Sequence, residues 1–97
     1  MNNKKKAEFY CYIAKTYINR YSDLGDKNLL LESVDFYKEA IRFDTECVDA
    51  YIGLAYLEYV YGNTKNAYML LNKARMIEPV NIKVNMIRQL IKREFNL

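Results

Sequence analysis

The chain has no histidine, one proline, three glycines and two cysteines in 97 residues. Without histidine, the commonest general base, proton shuttle and zinc ligand is missing. So few glycines and prolines argue against an all-β fold, which needs many turns. Cys11 and Cys47 lie far apart and in no CxxC pattern. They read as two structural thiols of a reducing cytosol, with a disulfide or a shared metal as the alternatives. No stretch reaches the roughly 18 uncharged apolar residues of a membrane span. The basic opening, MNNKKKAEFYCYIAK, holds no apolar run of signal-peptide length. The expectation is a soluble, cytoplasmic protein away from the membrane. No Gly-rich phosphate loop, GxSxG or metal-spaced cysteine cluster occurs, so neither an enzyme nor a cofactor or metal site is expected.

What is present favours helices. The apolar fraction is 52% and the chain carries ten tyrosines, enough to bury a core and to exclude global disorder. Net charge is +3, unevenly placed: residues 1–21 and 59–97 are basic, residues 22–58 acidic. Nucleic-acid binding usually wants a stronger, contiguous basic face, so it ranks low. Carboxylates such as Asp23 with Asp26, or Glu46 with Asp49, read as turn formers and first-turn groups that favour the helix dipole.

Apolar residues recur at helical spacing in five segments. The first covers about Lys4 to Tyr21 and stops at the turn-forming SDLGD. The second covers about Asn28 to Phe43, with Asp26 or Asn28 as its cap. The third covers about Glu46 to Tyr61, capped by Asp44 or Thr45, and ends at Gly62-Asn63. The fourth, about Thr64 to Ile77, stops before Pro79, because the residue preceding proline resists the helical conformation. The fifth runs from Val80 or Asn81 to Phe95. Val84, Ile87, Leu90 and Ile91 form its apolar side, and Lys83, Arg88, Lys92 and Arg93 a solvated one. Short links between helices make antiparallel neighbours.

The segments repeat. A shift of 34 residues lays Ser33 on Ala67, Tyr37 on Leu71, Ala40 on Ala74 and Phe43 on Ile77. The first segment needs a shift of 41, which lays Tyr10 on Tyr51, Ile13 on Leu54 and Ala14 on Ala55. The difference of seven residues, about two helical turns, predicts a longer leading helix, a longer turn, or both.

Tyr51, Leu54, Ala55, Gly62, Ala67, Leu71, Ala74 and Pro79 stand at the spacing of the tetratricopeptide (TPR) repeat, which this segment resembles. Glu58 departs from the pattern, where the family usually has Tyr. Tyr10, Ile13, Ala14, Tyr17, Ser33, Tyr37 and Ala40 echo the pattern, with Thr45 in place of Pro. The resemblance covers residues 7–79. It implies an all-α superhelix in a single domain 1–97: a first repeat over 1–45, a second over 46–79 and a capping helix over 80–97. It also implies a partner-binding concave face lined by the leading helices, through Tyr12, Lys15, Asn19, Ile52, Tyr56 and Tyr59. Glu8, Cys11, Asp49, Gly53 and Val60 would project the same way, with Lys83, Met86 and Leu90 of the last helix. Some family members grip a peptide's terminal carboxylate with a fixed Lys, Asn and Arg set. Tyr12 and Gly53 stand where its asparagines would be, so that mode is not implied here.

The expected function is therefore protein–protein interaction, with a peptide or helix as partner. The alternative is self-association through exposed repeat faces. YIGLAYLEYVY, Tyr51 to Tyr61, is apolar nearly all round, as buried helices are. Tyr51, Leu54 and Ala55 are expected to face the hairpin partner. Ile52, Tyr56 and Tyr59 either meet a partner or pack internally.

Overall fold

Apolar periodicity and glycine punctuation become five α-helices in the computed structural model, which describes residues 1–95. They are α1 (Asn3–Leu24), α2 (Lys27–Phe43), α3 (Val48–Val60), α4 (Thr64–Ile77) and α5 (Ile82–Phe95). No strand occurs among the described residues. The last two residues of the expected capping segment, 96 and 97, lie outside them. The chain divides into two compact units, Met1–Ala50 and Tyr51–Leu97. The division falls inside α3.

Each helix end has a local cause. The Asn2 side chain accepts the Lys5 N–H at 2.8 Å and opens α1. Ser22 and Asp23, expected in the turn, belong to the helix instead. α1 continues until Gly25, whose φ of 70° is left-handed and whose N–H donates to the Tyr21 carbonyl. A β-carbon on Gly25 would meet nothing within 4 Å, so backbone conformation alone favours glycine there. Asp26 then caps α2, accepting the Asn28 N–H at 3.0 Å. Gly62, at φ 84°, turns the chain between α3 and α4.

The start of α3 differs from expectation. Asp44 accepts the Glu46 N–H at 3.0 Å, which closes a turn rather than capping a helix. Cys47 is the residue before the first helical turn, and its carbonyl accepts the Ala50 N–H at 3.1 Å. At α5, the Asn81 side chain accepts the Val84 N–H at 3.1 Å, so Asn81 is the cap and Ile82 the first helical residue.

The seven additional residues are taken up as helix. Under the two shifts, Asn19 corresponds to Val60 and Leu30 to Thr64. Between the first two lie five residues of α1, the Gly25-Asp26 turn and three residues of α2. Between the second two lie three turn residues only. The first turn is thus the shorter one.

In the first unit α1 packs on α2. Ala7, Cys11 and Ala14 of α1 are buried with Leu30, Ser33, Tyr37 and Ala40 of α2. The Ser33 hydroxyl lies 2.9 Å from the Ala14 carbonyl and 3.1 Å from that of Leu29. A backbone-to-side-chain bond of that kind needs the small residues at both positions. Beside it runs an aromatic cluster. Tyr10 stacks on Phe43 at 5.6 Å and on Phe36 at 6.2 Å, and Tyr17 meets Phe36 edge-on at 5.0 Å. Arg42 and Lys6 sit over the Phe43 ring. Cys11, expected to project outward, is instead 4% exposed.

In the second unit α4 packs on α5. Tyr51, Leu54, Ala55, Leu57, Ala67, Leu71 and Ala74 are buried, with Val84 and Ile91 from α5. Arg88 does not join the solvated side expected for it. It is half-buried, donating to Asn72 Oδ1 at 2.7 Å and Tyr68 Oη at 3.1 Å, with its guanidinium over the Tyr68 ring. Leu90, expected to cover the core, is 45% exposed.

Candidate partner-binding surface

Tyr12, Lys15 and Asn19 are spaced three and four residues apart, which puts them on one face of α1. All three are exposed, Tyr12 at 70%. The adjoining side of the helix supplies the buried Ala7, Cys11 and Ala14. The aromatic ring of Tyr12 is thus held in water by a helix whose buried face is already occupied.

Ile52, Tyr56 and Tyr59 share a face of α3 by the same spacing. They are not equivalent. Tyr56 is 52% exposed, whereas Ile52 and Tyr59 are half-buried. The Tyr59 hydroxyl donates to the Glu94 carboxylate of α5. That bond holds the phenol above its ordinary pKa, because the protonated form is the donor. Tyr59 therefore packs within its own unit at its polar end, and Tyr56 is the tyrosine of this face left to solvent.

Glu58, the departure from the repeat pattern, has a local role. Its carboxylate accepts the Asn63 side-chain amide at 2.8 Å, and its carbonyl accepts the Asn63 N–H at 2.8 Å. It ties the end of α3 across Gly62.

Among the surface grooves of the second unit, two bear on partner binding, and of their lining only Met86 and Leu90 were expected on the binding face. One, of about 330 Å³, lies between α3 and α4 and is lined by Leu54, Glu58, Asn66, Met69, Leu70 and Lys73. Met69, 66% exposed, forms its apolar wall. The spacing of Asn66, Met69, Leu70 and Lys73 along α4 was the available signal. The other, of about 450 Å³, runs along α5 past Ile82, Met86 and Leu90, with Asn85, Gln89 and Arg93 at its edge. The three apolar residues are 73%, 67% and 45% exposed, an unpartnered stripe at four-residue spacing.

No three His, Cys, Asp or Glu side chains come together as a metal site among the described residues. No described helix is long and apolar enough to cross a membrane. No protein-family model matches the chain, and no curated protein matches it either.

Proposed function

We propose that the chain is a tetratricopeptide-like interaction module, an α-α superhelix of two hairpins and a capping helix. It binds a partner peptide or helix on a concave face and catalyses nothing. The observation that carries this reading is the exposure of Tyr12 and Tyr56 on two leading helices whose buried faces lie elsewhere. Tyrosine suits the role, giving a large contact area at low entropy cost together with a hydroxyl. Lys15 and Asn19 add polar handles beside Tyr12. Ile52 and Tyr59 flank Tyr56 and contribute apolar area, with the Tyr59 hydroxyl held by Glu94. A helix laid in such a groove would be recognised by its apolar stripe. Free Cys11 and Cys47 fit a reducing, cytoplasmic setting.

The test is capture by crosslinking in the native host, with wild type compared against Tyr12→Ala combined with Tyr56→Ala. The double variant should keep its helical circular dichroism and lose its specific partners. Unchanged capture by a folded double variant sinks the reading.

Self-association is the second reading, favoured by the Ile82, Met86 and Leu90 stripe along α5. Sedimentation across a concentration series decides it, since a strict monomer removes it. Nucleic-acid binding ranks third and would show as steeply salt-dependent retention on a polyanion.

A further inference from the structure

Cys11 and Cys47 are 36 positions apart in sequence, yet their sulfurs lie 3.8 Å apart in the first unit. Both are free thiols. Their environments differ in a way that matters for chemistry. Cys11 is buried in the middle of α1, between Ala7 and Ala14. Cys47 is half-buried at the turn leading into α3, where the helix N-terminus favours negative charge.

We propose that Cys11 and Cys47 form a peroxide-oxidisable dithiol, in which Cys47 reacts first and Cys11 resolves it to a disulfide within the chain. The inference stands apart from partner binding.

The reaction balances with hydrogen peroxide as the oxidant. The Cys47 thiolate attacks one peroxide oxygen and the O–O bond breaks. Cys47 becomes a sulfenic acid, and the departing hydroxide takes a proton to become water. The Cys11 sulfur then attacks the Cys47 sulfur. The S–OH bond breaks, the S–S bond forms, and the hydroxyl leaves with the Cys11 proton as a second water. Two thiols lose two electrons, and one peroxide is reduced to two waters.

The geometry supports this order. The more accessible sulfur is the one placed to meet peroxide, and the buried one waits within contact distance behind it. Closing the gap to a bonded distance of about 2.05 Å requires an approach of roughly 2 Å. Cys47 sits in the short segment between α2 and α3, outside the helices, so rotation of its side chain needs no displacement of a helix. Acidity agrees with the geometry. Cys47 is drawn down to about 7, chiefly because Cys11 donates a hydrogen bond to its thiolate. The Ala50 N–H adds to this, against the opposing effects of burial, Asp44 and Asp49. Cys11 is pushed up, by its role as donor to Cys47 and then by burial, with Asp49 adding to the rise and Lys15 opposing it. One proton is thereby shared by the pair, leaving the charge on Cys47.

The new bond would tie α1 to the entry of α3 and close a long loop, which restricts the unfolded chain. The full-length protein, reduced and then treated with stoichiometric hydrogen peroxide, is the sample to examine. Intact mass should fall by two hydrogens per chain, and peptide mapping should join Cys11 to Cys47. The thermal midpoint should rise by roughly 10 °C and return with reductant. In Cys11→Ser, and in Cys11→Ala as a second version, a cyclic dione should trap a sulfenic acid on Cys47. Cys47→Ser should consume peroxide at least about 10-fold more slowly. An unchanged mass in the wild type, a bond joining two chains, or first oxidation at Cys11 would each overturn the proposal.

Discussion

The two units solve the same packing problem with different materials. In Met1–Ala50 the leading helix has 22 residues, the turn after it has two, and a chain of ring contacts, stacked and edge-on, runs along the hairpin from Phe43 to Tyr17. The leading helix of Tyr51–Leu97, α3, has 13 residues and begins three residues before that unit; the turn after it has three, and alanines alternate with leucines in the core. Polar clamps replace the ring cluster there: Arg88 on Asn72 and Tyr68, and Tyr59 on Glu94. The difference teaches that residues inserted between two helices need not make a loop. Seven extra residues with good helical spacing extend the helices, because each added turn brings its own hydrogen bonds and apolar contacts.

Corresponding positions offer the sharpest ways to break the comparison. Leu71 in α4 is 0% exposed and has no polar atom. Leu71→Ala should cost about 3 kcal/mol, read from urea unfolding. A loss well under 1 kcal/mol would mean that the second core is not packed as described. Its counterpart in α2 is Tyr37, at 2% exposure. Burial holds its hydroxyl neutral and raises its pKa to about 12, with Cys11 and Asp49 adding to the rise. A raised folded-state pKa gives stability that is complete below the unfolded value of about 10 and is lost as pH rises through 12. The first unit should therefore weaken by about 2 kcal/mol across that window. Tyr37→Phe should remove that share of the alkaline sensitivity, as measured by unfolding at several pH values. If the pH profile of Tyr37→Phe matches that of wild type, the assignment to Tyr37 is wrong.

The clamps give smaller effects. Arg88→Lys keeps the charge but loses the planar fork that reaches Asn72 and Tyr68 together, and should cost about 1 kcal/mol. A silent Arg88→Lys would show that charge alone suffices. The smallest change is spectroscopic. Tyr59 should titrate above ordinary tyrosine in ultraviolet absorbance, and Glu94→Gln should return it toward the usual value. Titration of Tyr59 that is identical in both proteins would deny the bond.

Most of the fold was legible in the sequence. Thr64–Ile77 was placed to the residue, because Gly62 before it and Pro79 after it leave a helix little freedom at either end. The end of α1 was misjudged because Ser22 and Asp23 favour turns only when nothing stronger competes. A helix with a glycine terminator three and two residues further on continues to it. The start of α3 was misjudged because an Asp side chain can close a turn as readily as cap a helix. Within the candidate surface, the outward placement of Tyr12 and Tyr56 came from the repeat resemblance, which left internal packing open; both side chains are exposed. The bond from Tyr59 to Glu94 was not legible, since it joins residues 35 apart in sequence that no local rule relates. Arg88 was missed for the same reason. The thiol pair stood only as an alternative because the resemblance implies an outward position for Cys11, although small Ala7 and Ala14 on the same side mark it as interior.

The hydroxyl of Ser33 carries one more consequence. The buried side of α1 is a run of small side chains, Ala7, Cys11 and Ala14, smooth enough for a neighbouring helix to slide along. Ser33 sets a pin in that track by donating to the Ala14 carbonyl at 2.9 Å. Sliding by one turn, about 5.4 Å, would withdraw the pin and carry Tyr10 past Phe43. A single proton thus fixes where along its length the long helix stops.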